Sequence, residues 1–349
     1  MTTVYLIRHA EAEGNLYRRA HGHFNSGVTE RGYRQIAALA KRFADVPVDA
    51  VYASDLVRTQ TTALSITRTH GLALHIVPEL REIGVGEWED RTWAWLAQFE
   101  RERLLLFNTD LARWHVSGGE DIDVVRDRTV NALHGIIAAH PDKTVAVFSH
   151  GMALRTLVGT LQGMSIAEID RSPHAENTAV TKIEADAGGV RVIFRDDASH
   201  LGEALATLRK QAWTKSEGGV EPGIWFEPDA DAPGRFAAHW RDSGVVGAVA
   251  VEKLGGSTAS ITEFRLSEAL RGQKLGIRLM GQAVSAARAL GCDTLRAALT
   301  PAAARALCGE EEYGFRIVSE TPEGVIAERY FGSDEAYRVR RFDEAMREG

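Results

Sequence analysis

An α/β fold in two parts is what the sequence predicts: a three-layer α/β/α unit over residues 1–200 and a smaller α+β unit over residues 219–349, joined by a helical linker at 201–218. Three observations carry this. Short apolar segments alternate with stretches of helical period in the first half, the pattern of a largely parallel sheet covered on both faces. The texture changes between about Ser199 and Gly223, where a helical stretch gives way to a Gly-rich passage, Gly218-Gly219 through Pro222-Gly223. The length of 349 residues also suits two domains of roughly 100–200 residues each.

Taken in order, Thr3 to Ile7 is a short apolar strand that ends at Arg8-His9. Glu30 to Phe43 places Ile36, Leu39, Ala40 and Phe43 on one helical face, with Thr29 as its N-cap. Val48 to Ala53 reads as a buried strand, Thr59 to Thr69 as a helix, and Lys143 to Phe148 as a third buried strand running into Ser149-His150-Gly151. Strands at Ala179 to Ala185 and Val190 to Phe194 close this unit, and a helix is expected from Leu201 to Trp213. In the second unit, strands at Val245 to Val251 and Ala259 to Leu266 precede a helix from Gly276 to Leu290. Its apolar positions Leu279, Met280, Ala283, Val284, Ala287 and Leu290 recur at helical spacing.

Composition narrows the function class. At 44% hydrophobic and 26% charged residues the chain can bury a core, which excludes disordered and collagen-like structure. Against 48 acidic residues stand 41 Lys and Arg, for a net charge of −7, and no basic run is present. Nucleic acid and anionic membrane are therefore not expected partners. Cys292 and Cys308 are too few for a disulfide scaffold and lack metal-ligand spacing. With no apolar run of the roughly 18 residues that span a bilayer, the expectation is a cytoplasmic chain acting on small molecules.

A first constellation of polar groups stands where a core needs none. Arg8-His9 follows a strand, Arg58 follows Ser54-Asp55-Leu56, Glu82 is a further acidic group, and His150 ends a strand; both histidines lie at the strand ends where parallel sheets bind ligands. Two arginines can hold an anion, a neutral imidazole can attack phosphorus, and a carboxyl can supply a proton. Together with Leu6-Ile7-Arg8-His9-Ala10-Glu11-Ala12-Glu13-Gly14-Asn15, His21-Gly22, Val28-Thr29-Glu30-Arg31-Gly32, Gly86-Glu87-Trp88-Glu89 and Gly118-Gly119-Glu120, these residues resemble the histidine phosphatase superfamily, also called phosphoglycerate mutase-like. The blocks occur in order over about the first 200 residues.

That resemblance implies that His9 is the nucleophile, giving a phosphohistidine. Arg8, Arg58 and His150 would hold the phosphoryl oxygens, helped by Asn15, His21 and the backbone at Gly22. Glu82 would protonate the leaving oxygen and then activate water, and no metal or other cofactor is implied. An imidazolium at His150 is expected beside a phosphate dianion. Ala10 stands where the family usually has glycine, and His21 where Gln, Ser or Thr is more usual; His21 and His23 read either as added ligands or as solvated loop residues. The segment Trp88 to Gly118 covers the substrate in this family. Its length resembles the phosphatase branch, and its aromatics Trp93, Trp95, Phe99 and Trp114 read either as a lid for a larger or less polar substrate or as core.

The second constellation is a strand, a Gly-bearing turn and a helix start: Glu263-Phe264-Arg265-Leu266, then Arg271-Gly272-Gln273-Lys274-Leu275-Gly276. Free backbone N–H groups and the helix dipole make such a turn a site for an anion. With Gly291-Cys292 and Tyr313-Gly314-Phe315 it resembles the GNAT acetyltransferase family over residues 220–335, which implies that residues 271–276 hold the pyrophosphate of acetyl-CoA or another acyl-CoA. Lys274 stands where that family's first motif glycine is expected, and Glu310 where it usually has a tyrosine, leaving Tyr313 as a candidate general acid. Glu263 is a candidate general base for an attacking amine.

The expected whole is a bifunctional chain, a metal-independent phosphomonoester hydrolase fused to an N-acetyltransferase or acyl-CoA-binding domain. Phosphoglycerate mutase-type transfer, and a phosphatase regulated by a non-catalytic acyl-CoA sensor, are the alternatives. The sequence leaves homo-oligomerisation open.

Overall fold

The computed structural model describes residues 1–208, 223–241, 244–309, 311–322 and 324–348. Gly218 to Pro222, residues 209–213 of the expected linker helix, and Glu310 lie outside them. Within the described part that helix is shorter than expected. It runs only over Gly202–Leu205 and ends where Ala206 turns to extended backbone.

The first domain is built on a six-stranded sheet. Its strands are β1 (Thr2–Arg8), β2 (Ala50–Ala53), β3 (Leu74–Ile76), β4 (Thr144–Ser149), β5 (Val180–Asp186) and β6 (Gly189–Asp197), in the order β3-β2-β4-β1-β5-β6. The first four are parallel, and β5 and β6 add antiparallel on one edge. Helices α1 (Glu13–Tyr17), α2 (Glu30–Phe43), α3 (Val57–His70), α4 (Trp93–Phe99), α5 (Arg101–Thr109), α6 (Ile122–Ala139), α7 (Gly151–Leu161), α8 (Ile166–Arg171) and α9 (Gly202–Leu205) surround it. Leu39 and Phe43 of α2 with Ala63 and Ile66 of α3 cover one face through Ile7, Val51 and Phe148. Leu133 and Ile136 of α6 with Leu154 and Leu157 of α7 cover the other through Val4, Leu6 and Val147. Apolar side chains on both faces explain the continuous hydrophobic runs of β1 and β4.

The second sheet has seven strands, β7 (Ile224–Pro228), β8 (Arg235–Trp240), β9 (Val245–Gly255), β10 (Thr258–Leu266), β11 (Thr294–Leu299), β12 (Arg316–Thr321) and β13 (Gly324–Tyr330), in the order β12-β13-β11-β10-β9-β8-β7. β10 and β11 are parallel but pair only from Thr258 to Ile261. The β10 register then slips between Ile261 and Glu263, and the two strands continue without pairing to Leu266 and Leu299. Helix α10 (Gly276–Ala289) fills the sheet with Leu279, Met280, Ala283, Val284 and Ala287. Helix α11 (Pro301–Gly309) follows β11, and α12 (Glu335–Glu348) crosses back to the first domain, burying Phe342 and Ala345 against Tyr33, Ile36 and Ala40 of α2. Among the described residues no helix is long and apolar enough to cross a membrane.

Candidate active site

The parallel strands of the first sheet deliver one polar group after another to the same end. His9 follows β1, Ser54 and then Arg58 follow β2, Glu82 follows β3, and His150 follows β4. Backbone hydrogen bonds from His9 N–H to Ser149 and from Thr178 N–H to Arg8 lock these segments together.

His9 is 5% exposed. Its Nδ1 lies 2.7 Å from the Ala10 carbonyl oxygen, which can only accept, so the proton sits on Nδ1 and the lone pair on Nε2. Burial and then the charges of Arg58 and Arg8 push this imidazole well below its ordinary range, so it is neutral at pH 7. Ala10 is absent from the positive-φ residues and its N–H donates to Thr62. The glycine usual in the family is therefore not required here.

Arg58 is 2% exposed and spends its donors inside the protein: Nη1 on the Phe24 carbonyl, Nη2 on that of Gly22 and Nε on Nδ1 of His150 at 3.1 Å. Burial lowers it to about 10. Arg8 donates to the Ala175 carbonyl and lies against Gly151, while its buried Nε has no hydrogen-bond partner among the described residues. A buried guanidinium N–H without an acceptor costs free energy unless an anion supplies one.

His150 is fully buried, its rings 5.2 Å from those of His9, and its Nε2 lies 2.7 Å from Ser54 Oγ. Since Nδ1 accepts from Arg58, Nε2 carries the proton. Burial, Arg58 and His9 hold this ring well below the ordinary histidine range. The imidazolium expected from the sequence is thus opposed by the protein's own surroundings, and a proton would have to be favoured there by a dianion. Glu82 accepts from the backbone N–H groups of Ile83, Met152 and Ala153, placing its carboxylate on the N-terminus of α7.

Asn15 lies in α1, its Oδ1 accepting from Ala12 N–H and reached by Asn177 Nδ2 at 3.5 Å. Asn177 also donates to the His9 carbonyl at 2.9 Å, tying Asn15 to His9. The sequence reading missed Asn177, whose only signal is a polar residue just before an apolar strand.

Two expected phosphate ligands are corrected. Both ring nitrogens of His21 are engaged, Nδ1 with Ser26 and Nε2 with Asp90, and the ring stacks on Phe24; it is a strut under the site. The Gly22 N–H is committed to Glu89, which also holds the N–H groups of His23 and Phe24. Burial alone would raise the Asp90 carboxyl, yet Arg19, His21 and Ser285 hold it well below the usual carboxylate range. His23 instead contacts the Glu82 carbonyl and Glu120. The aromatic segment is also settled: Trp88 and Trp114 are buried with Leu104 and Leu111, Trp93 and Phe107 packing on them. These rings are core, and Phe99 is the exposed exception.

In the second domain Arg271, Gly272, Gln273 and Lys274 are exposed, Leu275 is buried and Gly276 opens α10. Lys274 adopts φ 58° and Gly272 φ 75°, so Lys274 keeps the left-handed backbone of the expected glycine at a cost of roughly 1–2 kcal/mol. Arg271 bonds the Leu266 carbonyl and Gln273 that of Ala269. Lys274 and Gly309 face Glu30, Arg31 and Arg34 of α2 across a cleft of about 440 Å³. Tyr313 places its hydroxyl at Gly276, 2.4 Å from where a Cβ would be. Glu263 is paired with Arg235 at 2.8 Å and with Arg265, and these lower its pKa. This corrects its reading as a general base, because a carboxylate so neutralised is a poor proton acceptor.

The family model for the histidine phosphatase superfamily (branch 1) matches residues 4–197. The chain belongs to that superfamily. The model of the acetyltransferase (GNAT) family matches residues 202–315, so the chain is a histidine phosphatase domain followed by a GNAT domain. It is 33% identical to "Probable phosphoglycerate mutase GpmB" of Cronobacter sakazakii over 218 residues, 60% of this chain and 100% of that protein. Similar solved structures include Bacillus stearothermophilus YhfR (30% identity, TM-score 0.56, 58% of this chain and 100% of that one). Another is the alpha-ribazole phosphatase of Shigella flexneri (26% identity, TM-score 0.51, 56% and 96%). A third is the phosphoserine phosphatase of Entamoeba histolytica (25% identity, TM-score 0.51, 58% and 100%).

Proposed function

We propose that the histidine phosphatase domain hydrolyses small phosphomonoesters through a phosphohistidine at His9. The observation that carries this is the Nδ1 bond to Ala10, which leaves the Nε2 lone pair in a neutral ring beside two buried guanidinium groups. Nε2 attacks phosphorus, the N–P bond forms as the ester P–O bond breaks, and the leaving oxygen takes the proton of Glu82. Glu82 then accepts a proton from water as that oxygen attacks phosphorus, the N–P bond breaks and inorganic phosphate departs. Arg8 and Arg58 balance the charge on the non-bridging oxygens, to which Asn15 and His150 would donate hydrogen bonds. Relatives that act on alpha-ribazole phosphate or phosphoserine, by their names, support phosphorylated metabolites as the substrate class. The name of the Cronobacter relative favours mutase-type transfer as a second reading.

For the GNAT domain we infer acyl-CoA binding at Arg271 to Gly276, supported by the left-handed turns at Gly272 and Lys274 before α10 and by the unpaired ends of β10 and β11. With Glu263 neutralised, a sensor that modulates the phosphatase is favoured over transfer to an amine through that residue. A panel of phosphomonoesters assayed for phosphate release with and without acetyl-CoA tests both parts. Rapid release from several small esters supports the phosphatase; transfer between substrate positions without release would make it a mutase, and no reaction at all would overturn the reading. Acetyl-CoA changing the rate without being consumed supports the sensor, and acetylation of an amine would replace it with an acetyltransferase.

A further inference from the structure

Helix α10 buries two faces. Its apolar face packs on its own sheet, while Arg278, Gly281, Gln282, Ser285 and Arg288, spaced by three or four residues, point to the phosphatase domain. Arg278 donates to the Leu16 carbonyl at 2.7 Å, Gln282 and Ser285 meet Arg19, and Gly281 lies against the ring of Tyr17. At the centre stands Glu13, the first residue of α1, its side chain 3% exposed. Arg288 meets one carboxylate oxygen at 2.6 Å and Arg329 of β13 the other at 3.3 Å. Glu13 N–H is held by the Gly27 carbonyl. Two residues further on is Asn15, which shares Asn177 with the His9 carbonyl.

We infer that Arg288 and Arg329, although carried by the GNAT domain, are positioning residues of the phosphoryl site: by pairing with buried Glu13 they hold α1, and with it Asn15, against His9. The physical reason is the environment. A carboxylate removed from water is stable only when paired, and a bidentate arrangement with two guanidinium groups also fixes its orientation. Arg278 adds a second anchor by satisfying a carbonyl at the end of this short helix. The phosphatase domain therefore opens α1 on a carboxylate that, among the described residues, is paired by guanidinium groups of the second domain. The inference rests on His9, Asn15 and the two arginines Arg8 and Arg58 forming a phosphate site.

The test uses the full chain, with inorganic phosphate binding followed by calorimetry and phosphomonoester turnover measured alongside. Arg288→Met should weaken phosphate binding and raise KM by about tenfold or more, the factor for a lost charge-assisted hydrogen bond, with a smaller change in kcat. Arg288→Lys, which keeps a donor, should recover most of the affinity. The pair Glu13→Gln with Arg288→Met removes one charge of each sign and leaves Arg329 the Tyr313 carbonyl and the new amide oxygen as acceptors, so it should fold while phosphate binding stays weak. Wild-type affinity in that folded pair would overturn the inference while leaving the phosphatase reading intact. If the wild-type chain itself binds no phosphate, both fall together.

Discussion

Arg58 donates its Nε hydrogen to Nδ1 of His150 at 3.1 Å, and this bond fixes the tautomer of His150. It leaves His150 neutral with its proton directed to Ser54, while the same guanidinium helps keep His9 neutral. Two buried imidazoles thus face fixed positive charge.

One consequence is a pH profile. The proposed attack uses His9 as the neutral ring, and its folded pKa lies well below 6.5. The acid limb of kcat/KM should therefore fall well below the pH at which an ordinary histidine titrates, and a midpoint near 6.5 would contradict the electrostatics. Stability follows the same sign. The unfolded chain binds protons at His9, His21 and His150 that the folded chain does not, so stability present above pH 6.5 is lost as pH falls below it. Chemical denaturation at pH 7.5 and 5.5 measures this.

Glu82→Gln should slow the first step most for esters with poor leaving groups, because an alkoxide needs the proton that an aryl oxide does not. The comparison is kcat for alkyl against aryl phosphates, and equal losses would argue against an acid role.

Asp90→Asn should weaken the hold on His21 and, through the loop 21–24, on the carbonyls that orient Arg58. A rise in KM for phosphomonoesters with a smaller change in kcat is expected; unchanged KM would remove His21 and Asp90 from the support of the site.

Gly281→Ala inverts a common rule. In an ordinary helix interior this change stabilises by about 1 kcal/mol, but here the new methyl would stand 2.6 Å from Cβ and Cγ of Tyr17. Overpacking of this kind costs about 1–3 kcal/mol, so unfolding should come at lower temperature or denaturant than in the wild-type chain.

The first sheet was largely legible because its strands carry apolar runs and its site residues sit at their ends. The 18-residue α6 escaped notice because Asp123, Arg126, Asp127 and Arg128 dilute its apolar spacing. The docking face of α10 could not be read either. Arg278, Gln282, Ser285 and Arg288 look like an ordinary solvated stripe until the phosphatase domain is seen covering them, and nothing local to Glu13 tells which arginines will reach it. His21 was misplaced for a related reason, since its partner Asp90 lies 69 residues away. The aromatic segment shows the same limit, as only tertiary packing separates a lid from a core.

Phosphoryl transfer to His9 would leave a covalent intermediate that can be captured. Rapid quenching at alkaline pH, with an aryl phosphomonoester labelled in its phosphoryl group, should trap close to one labelled phosphoryl per chain on His9 in the Glu82→Gln protein, and none in His9→Ala. Label on another residue, or turnover persisting in His9→Ala, would contradict the account.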